Sequence, residues 1–484
     1  MDKIYHLLTL IGIGLYWFLV AGVTLRVVLK RKAVSVSLSW LMIIYIVPVV
    51  GVIFYFLFGE LNLGRKRAER AKEMFAPFEL WFRSLNDCQA HRPQSMRAHI
   101  LKIDELCNYR MGIPALSGNT LSLKNTPSDI FQSILRDIEQ ANSSITMVFY
   151  IWHPGGYTDS VGSALISAAK RGVDVKLLLD SAGSARFFRS HWHDMMQQAG
   201  IRVVEVMKVS PWRIFFSRLD LRQHRKLIII DDAIAYTGSM NMVDPAFFEK
   251  SAQVGQWVDV MVRITGPSVN VLSCIFAWDW ELETGERSFP HIPECALEST
   301  AAYLPIQVVP SGPGMPEYLI SQVLTLAIHQ AHRSLCITTP YFVPSADLVY
   351  ALKLTSQRGV QVDIVVPKYN DSMLVKWASR AFYSELMSAG VRIHEFEGGL
   401  LHTKSVVIDE AFCLIGTVNI DMRSLWLNFE VTLAVDDEEF THSLSQQQQV
   451  YIDQSTMIDA DVWAQRSLWQ RFMERLFYLC SPLL

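Results

Sequence analysis

The chain contains one chemically informative pattern twice. Each copy has a histidine, a lysine two positions later, an aspartate five positions after the lysine, and then a Gly-Ser/Thr-x-Asn segment. Paired imidazoles suit nucleophilic and general acid–base catalysis, because one can attack an electrophile while the other protonates the leaving group. The first copy is His224, Lys226, Asp231, Gly238, Ser239 and Asn241; the second is His402, Lys404, Asp409, Gly416, Thr417 and Asn419.

The residues around each histidine predict a binding site for a phosphate group. Side chains alternate along a strand, so the histidine and lysine of one copy lie on the same face. If both copies converge, their ammonium, amide and hydroxyl groups form a dense cluster of hydrogen-bond donors. The lysines supply the positive charge, so we expect no metal ion or other cofactor. The expected donors are Lys226, Lys404, Asn241, Asn419, Ser239 and Thr417.

The two copies belong to a longer internal repeat. Residues 141–149 match residues 331–339, and residues 171–179 match residues 358–366. Helical patterns alternate with short apolar strands in both halves. The sequence therefore predicts two pseudo-symmetric α/β halves, each with a mainly parallel sheet, that share one active site.

The N-terminus predicts a membrane anchor. Residues 4–25 and 33–59 carry no charge, and each run is long enough to span a bilayer as a helix. A buried hairpin or a cleaved signal peptide fits less well, because core helices rarely run so long without charge and a second apolar run follows at once. We therefore expect a two-helix transmembrane hairpin and a multi-pass protein.

The side of the membrane on which the catalytic part lies is less strongly indicated. Basic residues flank both apolar runs, so the positive-inside rule is close to balanced. The seven cysteines show neither paired nor metal-ligand spacing. This pattern fits a reducing compartment and favours the cytoplasmic side.

The expected organisation has four segments. The anchor covers residues 1–59, a linker with a helical segment covers 60–115, and the two halves cover 116–290 and 291–484. The first half carries extra residues at 208–222, which suit a packed loop and contact with lipid headgroups equally well. In the last helix, Leu468, Phe472, Leu476 and Cys480 form one apolar stripe, which favours docking on the core over contact with the membrane.

The duplicated motif resembles the paired H-x-K-x4-D motifs of the phospholipase D superfamily. The resemblance extends from about residue 119 to the C-terminus. It implies that His224 or His402 forms a covalent phosphohistidine, with His224 preferred, while the other histidine acts as general acid and then base. It further implies that the lysines and asparagines hold phosphate oxygens, that Asp231 and Asp409 support the motif from outside, and that Asp259 and Glu430 orient the histidines.

The rest of the chain resembles the bacterial cardiolipin synthases of that superfamily. The apolar N-terminus and segments such as residues 340–344 and 370–373 carry this likeness. It implies a protein of the bacterial inner membrane that converts two phosphatidylglycerol molecules into cardiolipin and glycerol. A phospholipase D-type hydrolase, or transfer to another alcohol such as serine, uses the same catalytic residues and stays an alternative.

Other function classes fit the sequence poorly. The net charge is −3 and the sequence pI is about 6.5, so the chain lacks the basic field of nucleic-acid-binding proteins, and a nuclease is disfavoured. A catalytically inactive membrane scaffold would need a degraded motif, whereas both copies are intact. The expected partners are therefore phosphatidylglycerol and the lipid bilayer, and the oligomeric state stays open.

Overall fold

The computed structural model describes residues 2–30, 34–59, 64–87, 96–208, 221–248, 254–292 and 305–479. This part of the chain divides into two units. The first contains the residues up to 66 together with Leu221, and the second contains the remaining residues from Arg67 onward.

The first unit is helical and strongly apolar. Three valines of its first helix, at positions 20, 23 and 27, pack in one cluster with Trp40, Ile44, Val52 and Tyr55. Within the described residues, only Lys3–Leu29 is a helix long and apolar enough to cross a membrane. The elements are α1 (Asp2–Leu29), α2 (Val34–Ile46), α3 (Pro48–Phe54) and a π-helical turn (Tyr55–Gly59).

The second apolar run of the expected hairpin is not one continuous helix. The helical path breaks at Val47, which has φ −131° and ψ 73°, and α3 starts with Pro48. A proline has no backbone N–H and disfavours helical geometry in the preceding residue, so one helix ends here and another begins. The anchor therefore has one long helix followed by two shorter helical pieces.

The second unit contains two α/β halves built on separate sheets. Its helices are α4 (Arg65–Ser84), α5 (Ala98–Met111), α6 (Pro127–Gln140), α7 (Tyr157–Lys170), α8 (Ala185–Phe188), α9 (His191–Gln198), α10 (Ser268–Thr284), α11 (Leu319–His329), α12 (Ala346–Gln357), α13 (Met373–Ser388), α14 (Met422–Trp426), α15 (Glu438–Asp453), α16 (Ala460–Ala464) and α17 (Leu468–Tyr478). The strands of the first half are β1 (Thr120–Lys124), β2 (Ser144–Phe149), β3 (Asp174–Asp180), β4 (Arg202–Val206), β5 (Leu227–Ile230), β6 (Ile234–Gly238), β7 (Trp257–Val258) and β8 (Met261–Thr265). Those of the second half are β9 (Ile306–Ser311), β10 (Ser334–Thr338), β11 (Gln361–Pro367), β12 (Arg392–Phe396), β13 (Leu400–Leu401), β14 (Ser405–Ile408), β15 (Phe412–Gly416), β16 (Glu430–Val435) and β17 (Ser455–Met457).

The repeat predicted from the sequence is confirmed in the topology. The first sheet has the order β1-β8-β6-β5-β2-β3-β4, and the second has the order β17-β12-β11-β10-β14-β15-β16-β9. Strands β2, β3 and β4 therefore correspond to β10, β11 and β12, at the matched positions of the repeat. The boundaries expected at residues 59, 115 and 290 stay a prediction.

The expectation of mainly parallel sheets is wrong. Parallel pairing joins β2 to β3 and β3 to β4, whereas β2–β5, β5–β6, β6–β8 and β1–β8 pair in antiparallel fashion. The reason is a tight turn directly after the motif strand. Asp231 and Asp232 adopt φ values of 53° and 50°, and this left-handed pair folds β5 back onto β6 as a hairpin.

The last helix packs on the core as predicted, since α17 lies against α13, but it does so through a different face from the expected apolar stripe. In α17, Leu468 is 82% exposed and Phe472 is 54% exposed, while Glu474 is only 1% exposed. Glu474 accepts hydrogen bonds from Arg466 at 2.9 and 3.1 Å, so the buried face of the helix is held by an ion pair. The apolar stripe consequently points outward; Cys480 lies outside the described residues.

Candidate active site

Each motif aspartate joins its hairpin to a neighbouring strand. The Asp231 carboxylate accepts hydrogen bonds from the backbone amides of residues 142, 143 and 144 at 2.8–2.9 Å. Asp409 does the same with residues 332, 333 and 334 at 2.7–2.9 Å. Both aspartates thus fix the strand entering the site and lie outside the cluster around the histidines.

Each motif glycine allows two strands to approach closely. A Cβ atom on Gly238 would lie 2.4 Å from the carbonyl oxygen of Val260, and one on Gly416 would lie 2.2 Å from that of Val431. Any side chain would force these strands apart. Because Val260 follows Asp259 and Val431 follows Glu430, the glycines set the position of both carboxylates.

The histidines and carboxylates form two crossed pairs. His224, in the first half, lies 2.8–2.9 Å through its Nδ1 from the carboxylate of Glu430 in the second half. His402, in the second half, lies 2.7 Å through its Nδ1 from Asp259 in the first half. All four side chains are buried. Each half therefore completes the histidine–carboxylate pair, or dyad, of the other.

The electrostatics set the tautomer of both histidines. Burial opposes ionisation of Asp259 and Glu430, but the adjacent histidines and lysines outweigh it and hold both pKa values below the ordinary range. An ionised carboxylate only accepts hydrogen bonds, so each Nδ1 must donate. Nε2 is then the reacting nitrogen in both rings.

The backbone also crosses between the halves at the histidines. The amide of His224 donates to the carbonyl of Phe429 at 3.0 Å, and the amide of His402 donates to that of Val258 at 2.9 Å. Strand β13 pairs in parallel with β7, which brings residue 401 beside residue 258. The two sheets are thus joined where the catalytic residues lie.

Two hydroxyl groups support the carboxylates. Thr417 donates to Glu430 at 2.5 Å and accepts from the amide of Val431 at 3.0 Å. Ser239 accepts from the amide of Val260 at 3.0 Å and helps to keep Asp259 ionised. In this arrangement both hydroxyls stabilise a carboxylate, and their expected contact with phosphate stays a prediction.

Each motif lysine and histidine lies in the irregular segment just before β5 or β14, so the expected placement of the pair within a strand is wrong. Lys226 Nζ donates to the carbonyl of His224 at 2.6 Å, and Lys404 Nζ donates to that of His402 at 2.5 Å. Burial lowers the pKa of Lys226 to about 7, with a further contribution from Lys404, and lowers that of Lys404 to about 8. Two buried lysines that interact with each other form a cationic site suited to an anion.

Burial also keeps both histidines neutral. It lowers the pKa of His224 to about 4 and that of His402 to about 3, and in both cases it outweighs the partner carboxylate. A neutral imidazole has the lone pair that a nucleophile needs. A bound phosphate would favour the protonated form of the other histidine, because its negative charge opposes the effect of burial.

The asparagines complete the ring of donors. Asn241 Oδ1 accepts from the amide of Ile151 at 3.2 Å, so its amide nitrogen is the group that remains to donate. Asn419 is 3% exposed, and its Oδ1 has no hydrogen-bond partner among the described residues. A buried amide with an unpaired oxygen fits a position that binds a ligand. Contact of either asparagine with phosphate stays a prediction.

Sequence reasoning missed one buried ion pair that supports the site. Arg225, between the motif histidine and lysine, is fully buried and forms an ion pair with Asp279. Its Nε also donates to the carbonyl of Glu430 at 3.0 Å, which holds that residue against β5. The available signal was Asp279 itself, a charge between Trp278 and Trp280 that ends the apolar run of α10.

Comparison with known proteins agrees with this geometry. The family described as "Cardiolipin synthase, PLD-like domain" matches residues 134–280 and 324–450, which contain both crossed pairs. A second family, described as phospholipase D-nuclease N-terminal, matches residues 16–60. Within the described residues, no group of three or more His, Cys, Asp and Glu side chains could hold a metal ion.

Individual relatives cover the whole chain. Proteins named cardiolipin synthase A from Yersinia pseudotuberculosis and Yersinia pestis are 51% identical to it over 487 residues, with 100% of both chains covered. Among solved structures, phosphatidylserine synthase of Haemophilus influenzae matches with a TM-score of 0.57 and 16% identity, covering 80% of this chain and 100% of that one. The latter likeness shows a shared fold.

The crossed dyads predict the effect of neutralising one carboxylate. In Asp259→Asn or Glu430→Gln, the histidine loses its anionic partner and its fixed tautomer. We expect turnover of a phosphodiester lipid to fall by about 10²- to 10⁴-fold, with little change in melting temperature. Asp129→Asn, which alters a half-exposed carboxylate paired with Lys124, is the matched control. Wild-type turnover in a folded dyad variant would contradict the assigned role.

The lowered lysine pKa values predict pH-dependent anion binding. Only the ammonium form attracts an anion, and the empty site loses protons from Lys226 and then Lys404 as the pH rises through about 7 and 8. We expect the affinity for tungstate, whose charge is constant in this range, to fall about tenfold or more between pH 7 and pH 9. Calorimetric titration measures it.

Two variants test the origin of this dependence. Lys226→Met should weaken both the affinity and its variation with pH. Lys353→Met, which removes a surface lysine paired with Glu385, should preserve both. An affinity of the wild-type protein that is constant across this range would show that the lysines stay charged in the empty site.

Proposed function

The chain belongs to the family of phospholipase D-like cardiolipin synthases and is a phosphatidyltransferase, and we propose that phosphatidylglycerol is both its donor and its acceptor. The products are then cardiolipin and glycerol. The observation that carries this proposal is the pair of crossed dyads, with two buried lysines and two buried asparagines beside them. This arrangement provides two imidazoles of matched geometry and a cationic site for the phosphate.

In the first step, Nε2 of His224 attacks the phosphorus of the donor. An N–P bond forms, the bond from phosphorus to the glycerol headgroup oxygen breaks, and this oxygen takes a proton from His402. The two lysines neutralise the charge on the remaining phosphate oxygens. Glu430 stabilises the positive charge that develops on the attacking imidazole.

In the second step, a glycerol hydroxyl of another phosphatidylglycerol replaces the departed headgroup. His402 takes the hydroxyl proton, the new O–P bond forms, and the N–P bond to His224 breaks. His402 thus reverses its earlier role, as microscopic reversibility requires. The assignment of His224 as nucleophile is supported by the family resemblance, since both dyads have equivalent hydrogen bonding.

Association with the membrane favours a lipid acceptor over water. An enzyme held at the bilayer meets the second lipid at a high effective concentration. Burial of both histidines restricts the access of water to the phosphohistidine. These two features support synthesis over hydrolysis, and they favour an alcohol that is itself part of the membrane.

The anchor supports a multi-pass arrangement in the bacterial inner membrane. Helix α1 has 28 residues, which correspond to about 42 Å of helix. Helices α2 and α3 follow it and expose further apolar side chains, including Ile46 at 69% and Val49 at 61%. We propose that these pieces form the return crossing. A cytoplasmic catalytic unit is supported by the free cysteines 107, 274, 336 and 413.

The proposed reaction predicts a defined product ratio. Purified full-length protein in vesicles containing only phosphatidylglycerol should form cardiolipin and glycerol in equal amounts, with a chelator present and no nucleotide. Mass spectrometry of the lipids and enzymatic detection of glycerol measure both products. Phosphatidic acid as the main product would make the protein a hydrolase. Phosphatidylserine formed in preference after addition of serine would make serine the acceptor.

The proposed orientation predicts one-sided labelling. Ser163 lies on an exposed face of α7 in the catalytic unit. A Ser163→Cys variant should react with a membrane-impermeant thiol reagent in inverted inner-membrane vesicles and stay unlabelled in intact spheroplasts. The parent protein measures background labelling of the native cysteines. Labelling above this background in spheroplasts would place the catalytic unit on the periplasmic side.

A further inference from the structure

The two-fold symmetry of the reacting groups does not extend to their surroundings. In the first half, Arg222 lies two positions before the motif histidine, and the corresponding residue in the second half is Leu400. Arg423 lies four positions after the second motif asparagine, and its counterpart in the first half is Pro245. One side of a symmetric centre therefore carries two arginines where the other carries apolar residues.

The backbone brings these two arginines together beside one histidine. The carbonyl of Arg423 accepts from the amide of Asn428 at 2.9 Å, and that of Arg222 accepts from the amide of Phe429 at 3.1 Å. The next residue is Glu430, which holds His224. Three consecutive residues thus connect both arginines to the same dyad, although they come from different halves of the chain.

Tyr150 marks the place where the arginine side chains meet. Its ring centroid is 5.3 Å from that of His224, and Lys226 Nζ lies 5.9 Å from its centre. The Tyr150 hydroxyl interacts electrostatically with both Arg222 and Arg423. Both guanidinium groups are consequently close to the reacting centre, and both arginines are half-buried.

Buried carboxylates interact with each arginine. Asp180 is fully buried, interacts with Arg222, and accepts from the amide of Gln223 at 3.1 Å. Asp421, at the start of α14, interacts with Arg423. A guanidinium has five N–H donors in a fixed plane, so one that is held on a carboxylate or a phenol can still present donors to a second anion.

The surroundings of the other histidine have the opposite character. The Trp257 ring is centred 4.3 Å from that of His402, and Trp257 pairs with Leu400 in the small sheet formed by β7 and β13. Both belong to a buried apolar cluster with Val243, Phe248 and Val254. The aliphatic and phenyl side chains of this cluster offer no hydrogen bonds to an anion.

We propose that Arg222 and Arg423 form a second phosphate subsite, which binds the phosphodiester of the acceptor lipid while its glycerol hydroxyl attacks the phosphohistidine. This inference rests on the proposed function and defines how the acceptor is selected. The reacting phosphate occupies the lysine and asparagine donors. The acceptor brings another phosphate, separated from its attacking oxygen by the glycerol carbons, and this anion needs cations of its own.

This subsite distinguishes synthesis from hydrolysis. Water and free glycerol are neutral, so the arginines give neither of them an advantage as acceptors. Phosphatidylglycerol gains charge-assisted hydrogen bonds from its own phosphate to the arginines. The first chemical step involves a single phosphate and does not require the pair.

The test compares two reactions of full-length protein in phosphatidylglycerol micelles. Incorporation of labelled glycerol into phosphatidylglycerol reports phosphohistidine formation and transfer to a neutral acceptor. Formation of cardiolipin reports transfer to an acceptor that carries a phosphate. In Arg222→Gln and in Arg423→Gln, we expect the ratio of cardiolipin formation to glycerol exchange to fall about 10-fold or more, through a raised KM for the acceptor.

Matched variants separate charge from packing. Arg222→Lys and Arg423→Lys keep the positive charge and should restore part of the ratio. Arg202→Gln removes an arginine that pairs with Asp174 and should leave the ratio unchanged. A parallel loss of both reactions in the Gln variants, or an unchanged ratio, would overturn the subsite. A wild-type protein that exchanges glycerol without forming cardiolipin would instead refute the proposed function.

Discussion

The crossed hydrogen bonds between histidine and carboxylate are the constraint on which the catalytic unit depends. Four buried ionisable side chains are tolerable only because each has a partner at hydrogen-bond distance. The partners lie on different sheets, so both sheets must be held in a fixed mutual position. The backbone bonds from His224 to Phe429 and from His402 to Val258 provide this coupling at the reacting groups.

The same constraint explains residues of the motif that never approach the substrate. Asp231 and Asp409 fix the start of β2 and β10, which pair with the motif strands β5 and β14. Gly238 and Gly416 let the carboxylate-bearing strands come close enough to reach across. The motif therefore specifies the backbone contacts that position the histidines and carboxylates, as well as these side chains themselves.

Sequence reasoning succeeded where local patterns carry the information. Repeated apolar segments located β2, β3 and β4 with their counterparts, and the motifs identified both histidines and their carboxylate partners. It failed where contacts between distant parts of the chain determine the structure. The crossed partnership of the dyads needs the relative position of two sheets, and the outward face of α17 depends on the ion pair of Glu474 with Arg466. Two local signals were overlooked because the apolar periodicity was read first. They are the adjacent aspartates 231 and 232, which form the hairpin turn, and Pro48, which interrupts the second apolar run.

Because neither half contains a complete dyad, the duplicated chain has a particular evolutionary freedom. A single ancestral half could assemble such a site only as a two-fold dimer, in which every mutation appears twice and both dyads stay identical. Fusion into one chain removes that restriction, since each copy of a position can change alone. The present dyads record this divergence: one carboxylate is an aspartate and the other a glutamate, and Arg225 of the first half faces Asp279 where Thr403 of the second faces Tyr451. Covalent linkage of the halves thus lets the surroundings of the two histidines differ.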